Sequence, residues 1–316
     1  MGLRLFLLIL GHLAISSLTH VLARGVLVYE GLPPTVVVAS RSAIAALVLL
    51  PLGRVAGRPT APWTAADTRR LLLVAALAVP ANQLLYITGL KYTHAVHGAL
   101  LFCLTPLFVG ALTAVLEGVR TPRGAWLGTV VALGGVAIVT GRGFLDAAGR
   151  RDGSDLLKGD LILLGAVVAW SFVTVLSRPL LTKLPSFAVS RRILLVGAAL
   201  LFPFVLPDVV AFPWPTLTPR AAGVLVFFGV ATSVVAYVLW TMLLRRLGAV
   251  GCAVLINLQP LAVGLLASAM LDEPATPELF AGGLLIVAGV LWAQRAVARA
   301  HAERLLAAAD DPPLAG

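Results

Sequence analysis

His12, Ser16, Thr19 and His20 interrupt an otherwise apolar run, and at about 3.6 residues per turn they share one helix face. Asn82, Gln83 and Tyr86 follow Pro80 in another such run, and Asn257 and Gln259 stand just ahead of Pro260 in a third. Trp170, Tyr237 and Trp240 add aromatic bodies with one polar edge. Groups of this kind donate, accept and stack. They hold an organic molecule; they do not break one. The sets that break bonds are missing, with no HExxH, no carboxylate pair inside an apolar run, and no Ser/Lys or Ser/His arrangement set off by its surroundings. His12 and His20 lie two turns apart, about 12 Å, too far to share a metal ion, so no metal and no cofactor is expected. Cys103 and Cys252 sit in apolar runs and are not expected to pair.

Several of these residues have a second reading. The stripe on the first run either lines a cavity or hydrogen-bonds a neighbouring helix. Pro80 removes a helix hydrogen bond, so Asn82 and Gln83 either repair that break or leave polar backbone open to a ligand. Pro106 and Pro260 are expected to kink their helices and release the carbonyls of Phe102 and Ile256, as hinge points. His97, near the end of its run, is a gate residue or a solvated one. Arg41 and Arg191 lie about 10 Å inside their runs. Either could meet a carboxylate or phosphate, but snorkelling to helix-end carbonyls would also account for both, and that structural role is the preferred reading. No Asp or Glu falls mid-run, so a proton relay on a buried carboxylate has no support; His12 or His20 could still couple protons.

The elements that carry these groups are membrane helices. The 316 residues are 59% hydrophobic and 12% charged, and mean hydropathy is +0.99. Ten apolar runs are long enough to cross a bilayer core of roughly 30 Å as helices: 5–23, 34–52, 71–90, 95–116, 124–141, 159–177, 186–206, 220–242, 249–271 and 278–295. Within a bilayer such runs must be helical to satisfy their backbone groups. The net charge of +10 follows topology rather than nucleic acid, for no aromatic-rich basic groove accompanies it. With the N-terminus inside, fourteen basic residues, among them Arg54, Arg69, Arg123, Lys183, Arg245 and Arg295, fall on the cytoplasmic side and seven outside. Both termini are therefore expected in the cytoplasm. Arg4 followed by LFLLILG could pass for a signal peptide, but the same text recurs as an internal span.

That recurrence organises the chain. Residues 10–24 and 164–178 align at an offset of 154, matching Gly11 with Gly165, Ser17 with Ser171 and Arg24 with Arg178. The offset also matches Pro106 with Pro260, Gly110 with Gly264, Gly128 with Gly282 and Gly135 with Gly289. It places Ser16 against Trp170, Gln83 against Tyr237 and Tyr86 against Trp240. Five spans per copy is an odd number, so the second copy must cross the membrane upside down. The plan is two inverted five-helix repeats, 1–141 and 158–295, with an external linker at 142–157 and a cytoplasmic tail at 296–316. Short loops at 91–94 and 245–248 are expected to pair adjacent spans. Spans five and ten carry little but small and aliphatic residues, which fits a packing role at the periphery or a homodimer contact.

Three strings, SRSAIAALVLLP at 40–51, NQLLYITGLKYTHAVHGALLFCLTPLFVG at 82–110 and NLQPLAVGLLASAMLDEPATPELFAGGLLIVAGV at 257–290, resemble the drug/metabolite transporter superfamily in its EamA-type branch. The likeness covers residues 5–295 and departs at EGVRTP, 117–122, where that family usually has Gly-Glu before the basic residue. It implies a ten-helix transporter of the bacterial inner membrane, working by alternating access. The residues suit a small organic solute, an amino acid or an amphipathic aromatic metabolite, and the expected function is its export through a cavity lined by His12, Ser16, His20, Asn82, Gln83, Tyr86, Trp170, Tyr237, Trp240, Asn257 and Gln259. A lipid-handling protein with a lateral groove and an intramembrane enzyme are the alternatives. The expected partners are the solute, the lipid bilayer and a second copy, with no nucleic acid.

Overall fold

The structure is a computed structural model describing residues 3–54, 57, 60–117, 122–147, 151–256, 259–272 and 276–310. The described residues are helical throughout their regular structure, with no strand. The α-helices are α1 (Leu3–Val28), α2 (Pro34–Leu49), α3 (Ala65–Ala76), α4 (Asn82–Tyr92), α5 (Ala95–Phe102), α6 (Thr105–Glu117) and α7 (Arg123–Ala147) in the first half. The second half holds α8 (Arg151–Lys183), α9 (Ser186–Ala211), α10 (Pro219–Phe227), α11 (Tyr237–Ile256), α12 (Gln259–Leu271) and α13 (Pro277–Asp310). Two π-helical segments, Leu77–Ala81 and Phe228–Ala236, join α3 to α4 and α10 to α11.

Seven helices among the described residues are long and apolar enough to cross a membrane; three shorter apolar ones, Pro34–Leu49, Arg123–Ile138 and Ala262–Leu271, fall on the remaining expected spans. Helix also fills most of 142–157, since α7 reaches Ala147 and α8 starts at Arg151. The expected loop at 245–248 is helical as well, within α11. That stretch has no proline, and Gly248 by itself costs a helix only about 1 kcal/mol.

The inversion is visible where α7 meets α13. A Cβ on Gly128 would stand 2.5 Å from the carbonyl oxygen of Gly289, and one on Gly135 would stand 2.5 Å from that of Gly282. Gly128 and Gly282 are repeat equivalents, as are Gly135 and Gly289, so the two contacts exchange under the repeat. Later residues of one helix meet earlier residues of the other, which makes the pair antiparallel. The small residues of spans five and ten are thus used within one chain, where only glycine lets the backbones come this close.

Polar contacts at the helix ends follow the up-and-down path. At one end Arg24 Nη1 donates to the carbonyls of Leu90 (3.1 Å) and Lys91 (2.7 Å). There too the Tyr29 hydroxyl donates to Leu271 (2.8 Å) and the Thr218 hydroxyl to Glu30 (2.8 Å). At the other end Lys183 Nζ lies 2.6 Å from Asp67, and Ser190 and Thr241 hydroxyls are 2.9 Å apart. Asp67 also closes a capping box with Thr64 ahead of the apolar run 71–90. The hydrogen bond from Lys183, then those from Thr64, hold its carboxyl down at about 2. Every one of these contacts joins ends that ten alternating crossings put on the same side.

Candidate functional site: a cavity between the repeats

A cavity of about 140 Å³ lies where the two halves face each other. Taking a share of roughly 30 Å³ of liquid per water, it holds about five waters, or part of a compact solute. Its walls are His12, Ser16, Thr19 and His20 of α1, Arg41 of α2, Ala78, then Asn82, Gln83 and Tyr86 of α4, and Phe102 of α5. From the second half come Trp170 of α8, Thr232, Ala236, Tyr237 and Trp240 around the second π segment, and Gln259 of α12.

Five pairs in this wall are related by the 154-residue offset: Ser16 with Trp170, Ala78 with Thr232, Asn82 with Ala236, Gln83 with Tyr237, and Tyr86 with Trp240. Two hydrogen bonds repeat the relation. Asn82 Nδ2 donates to the Ala166 carbonyl at 2.8 Å, and His12 Nδ1 donates to the Ala236 carbonyl at 3.2 Å. Residues 82 and 236 are equivalents, as are 12 and 166, so one contact serves both halves with the side chain supplied from opposite partners. The cavity therefore sits on the axis that relates the repeats.

The two π segments occupy matching places, 77–81 and 228–236, and each puts residues on the wall. A π turn widens the helix and redirects its carbonyls, which is why such turns gather at functional sites. The Ala236 carbonyl can only accept, so the His12 proton is on Nδ1, and in the neutral ring Nε2 accepts from the Ser16 hydroxyl at 3.3 Å. Thr19 spends its proton on the Ile15 carbonyl (2.7 Å) and so accepts from Thr232 at 2.8 Å. The Oε1 atom of Gln83 is buried and has no hydrogen-bond partner among the described residues.

The aromatic residues of the wall form two groups. Trp170 lies 5.7 Å from both Tyr237 and Trp240, and His12 5.4 Å from Trp240, between ring centroids. In the second group His20, Tyr86 and Phe102 stack edge to face at 5.3–6.1 Å.

Of the residues singled out in the sequence, His12, Ser16, His20, Asn82, Gln83, Tyr86, Trp170, Tyr237, Trp240 and Gln259 come together here. Asn257 lies outside the described residues. Arg41 joins them; Arg191 does not, for its Nε and Nη2 donate to the carbonyls of Leu49 (2.8 Å) and Leu50 (3.2 Å) at the end of α2. His97 is also elsewhere, at the Arg24 end, where its Nδ1 is 3.1 Å from Asp160, which in turn accepts from Thr93 at 2.6 Å. Pro106 does not bend a continuous helix. It is the second residue of a new one, α6, after α5 ends at Phe102; the residues just ahead of Pro260, 257–258, lie outside the described ones, and so does the expected kink there. Proline suits the first turn, where its missing N–H would be unsatisfied anyway.

Ala78, Phe102, Thr232 and Ala236 were not among the residues expected on the wall. Thr232 carries the signal that finds it, a polar residue amid an apolar span. The other three carry none. A larger open groove of about 490 Å³ runs along the outer face of α13 past Leu291, Trp292, Arg295 and Arg299. One helix supplies all its described residues, and Trp beside Arg suits the headgroup layer. The smaller cavity, with converging polar groups and walls from seven helices, is the better candidate.

An all-helical bundle of two inverted repeats around a polar, aromatic hollow is the architecture of a membrane transporter. The chain belongs to the EamA-like transporter family, whose pattern matches residues 3–141 and 157–294. An uncharacterized transporter of Archaeoglobus fulgidus is 29% identical over 69% of this chain and 74% of its own length. YetK of Bacillus subtilis, also an uncharacterized transporter, is 23% identical over 84% and 80%. A protein of Streptantibioticus cattleyicolor named "Probable terminal-alkyne amino-acid exporter" is 26% identical over 73% and 74%. A crystal structure covering 90% of this chain and 97% of its own superposes with a TM-score of 0.61 at 20% identity, which bears on the fold alone.

Proposed function

We propose that this integral membrane protein exports a small organic solute, an amino acid or an amphipathic aromatic metabolite, across the bacterial inner membrane, with both termini in the cytoplasm. The observation that carries the reading is the cavity wall built from repeat-equivalent positions, Ser16/Trp170, Gln83/Tyr237 and Tyr86/Trp240. A site on the axis of an inverted repeat is reached equally from either side when the halves rock. The relative named for amino-acid export supports the solute class.

In this reading His97, Asp160 and Thr93 form the outer closure, and Lys183 with Asp67 forms the inner one. The helix break ahead of Pro106 supplies a bending point, and Pro260 is its repeat equivalent. Trp126, Val130, Phe280 and Leu284 are exposed on the outer rows of α7 and α13; they face lipid or a second copy, since the glycine rows are already engaged. The test is uptake into proteoliposomes of purified protein, across amino acids, aromatic metabolites and organic cations, with and without a pH gradient. Saturable uptake of an amino acid or aromatic solute is expected. Rates equal to empty liposomes across the whole set would overturn the reading.

A further inference from the structure

Among the described cavity residues, Arg41 carries a charge that nothing on the wall answers. It is 6% exposed and sits in the interior of α2. Its Nε donates to the Ser233 hydroxyl at 3.0 Å, and its Cζ lies 6.0 Å from the Phe228 ring centroid. Neither Nη nitrogen bonds a described residue, no described carboxylate lies within ion-pair distance, and no described Asp or Glu lines the cavity. A buried cation left without a partner is costly, so its position needs a reason.

The fold does not supply one. Arg191, the other arginine of this kind, is spent on the Leu49 and Leu50 carbonyls. The repeat equivalents of Arg41 and Ser233 are Leu195 and Val79, so the same place in the other half is built without a charge. What the fold does supply is fixation. A Cβ on Gly229 would run into Ile44 and come within 3.3 Å of the Arg41 carbonyl, so glycine there lets the second π segment lie directly on α2. Ser233, one turn further on, then reaches the guanidinium. With Nε occupied, the two Nη groups remain as a fork whose spacing matches the two oxygens of a carboxylate.

We infer that Arg41 is the anion-binding residue of the cavity and that the transported solute is a monocarboxylate with an apolar or aromatic body. The carboxylate takes the Nη fork, and the body lies between Trp170, Trp240 and Tyr237. Where the solute is an amino acid, its ammonium meets ring faces and the unpartnered Gln83 Oε1 rather than an acid. A single arginine is too little for a phosphate ester, whose greater charge needs several cations. The inference rests on the transport reading of the same cavity.

The test uses probes that share one benzyl body. L-phenylalanine and 3-phenylpropanoate carry a carboxylate; L-phenylalaninamide and phenethylamine do not. Binding to the purified full chain is read by quenching of Trp170 and Trp240 fluorescence, and saturable L-phenylalanine flux is measured in proteoliposomes. At least tenfold tighter binding of the two acids is expected, with that preference lost in Arg41→Gln, partly kept in Arg41→Lys, and weakened severalfold in Ser233→Ala. Equal or tighter binding of the amide and amine by the unmodified protein overturns the inference, and needs no variant that might misfold. Undiminished acid binding by Arg41→Gln does the same. If saturable flux persists in either case, transport stands and only the anion site falls; with neither flux nor binding of any probe, both readings fall for this solute class.

Discussion

Arg41 and Arg191 carry the same side chain at similar distances from a helix end, and their surroundings give them opposite employment. Sequence position could not separate them, because what decides is whether a broken-off row of carbonyls or a hollow lies within reach. Arg191→Ala should therefore destabilise the protein by about 1–3 kcal/mol through lost charge-assisted bonds to the end of α2, seen as a lower melting temperature in detergent with solute binding unchanged. Gln259→Ala should cut solute flux severalfold while membrane insertion stays normal; flux equal to the unmodified protein removes Gln259 from the site. The cavity residues were legible because a polar group in an apolar span is expensive and so informative. The pairing of His97 with Asp160 was not, since it joins residues 63 apart that share no periodicity.

At the level of elements, the repeat offset predicted which spans match but not how they deviate from regular helix. The first π segment contains Pro80, which could be taken as its cause. The second, FGVATSVVA, has none. The widened turn therefore comes from the packing of each segment against the opposite half, as Gly229 against Ile44 shows. Pro80→Ala should leave fold and flux within about twofold, the helix regaining a hydrogen bond it can use. Gly135→Val is a different matter. Its side chain would collide with the Gly282 carbonyl, and overpacking of this kind costs about 1–3 kcal/mol or more. A clear fall in melting temperature is expected, and an unchanged one would mean α7 and α13 do not meet as described.

For the whole molecule, composition and the duplicated text are enough to give the ten-span inverted plan. Most of the cavity's wall was legible residue by residue, but its volume was not, because an enclosed volume depends on side chains from seven helices at once. The contacts between distant ends were also hidden, and one of them has a pH signature. The Asp67 carboxyl is held down at about 2 in the folded protein against an ordinary value of 3.8. Its contribution is complete above the ordinary value and fades as pH falls from there toward 2. Asp67→Asn should thus melt below the unmodified protein at neutral pH, with the gap closing between about pH 4 and pH 2. A gap that persists undiminished at pH 2 would assign the loss to something other than ionisation.

The antiparallel glycine seam between α7 and α13 has a mechanical corollary. Two backbones already touching, with carbonyls where side chains would otherwise be, have no slack to part and no bulk to slide over. That edge behaves like the spine of a book, keeping one width whichever cover swings. Motion that exposes the hollow is then confined to the opposite edge, and spin labels placed across the spine should report a single distance through every stage of the cycle.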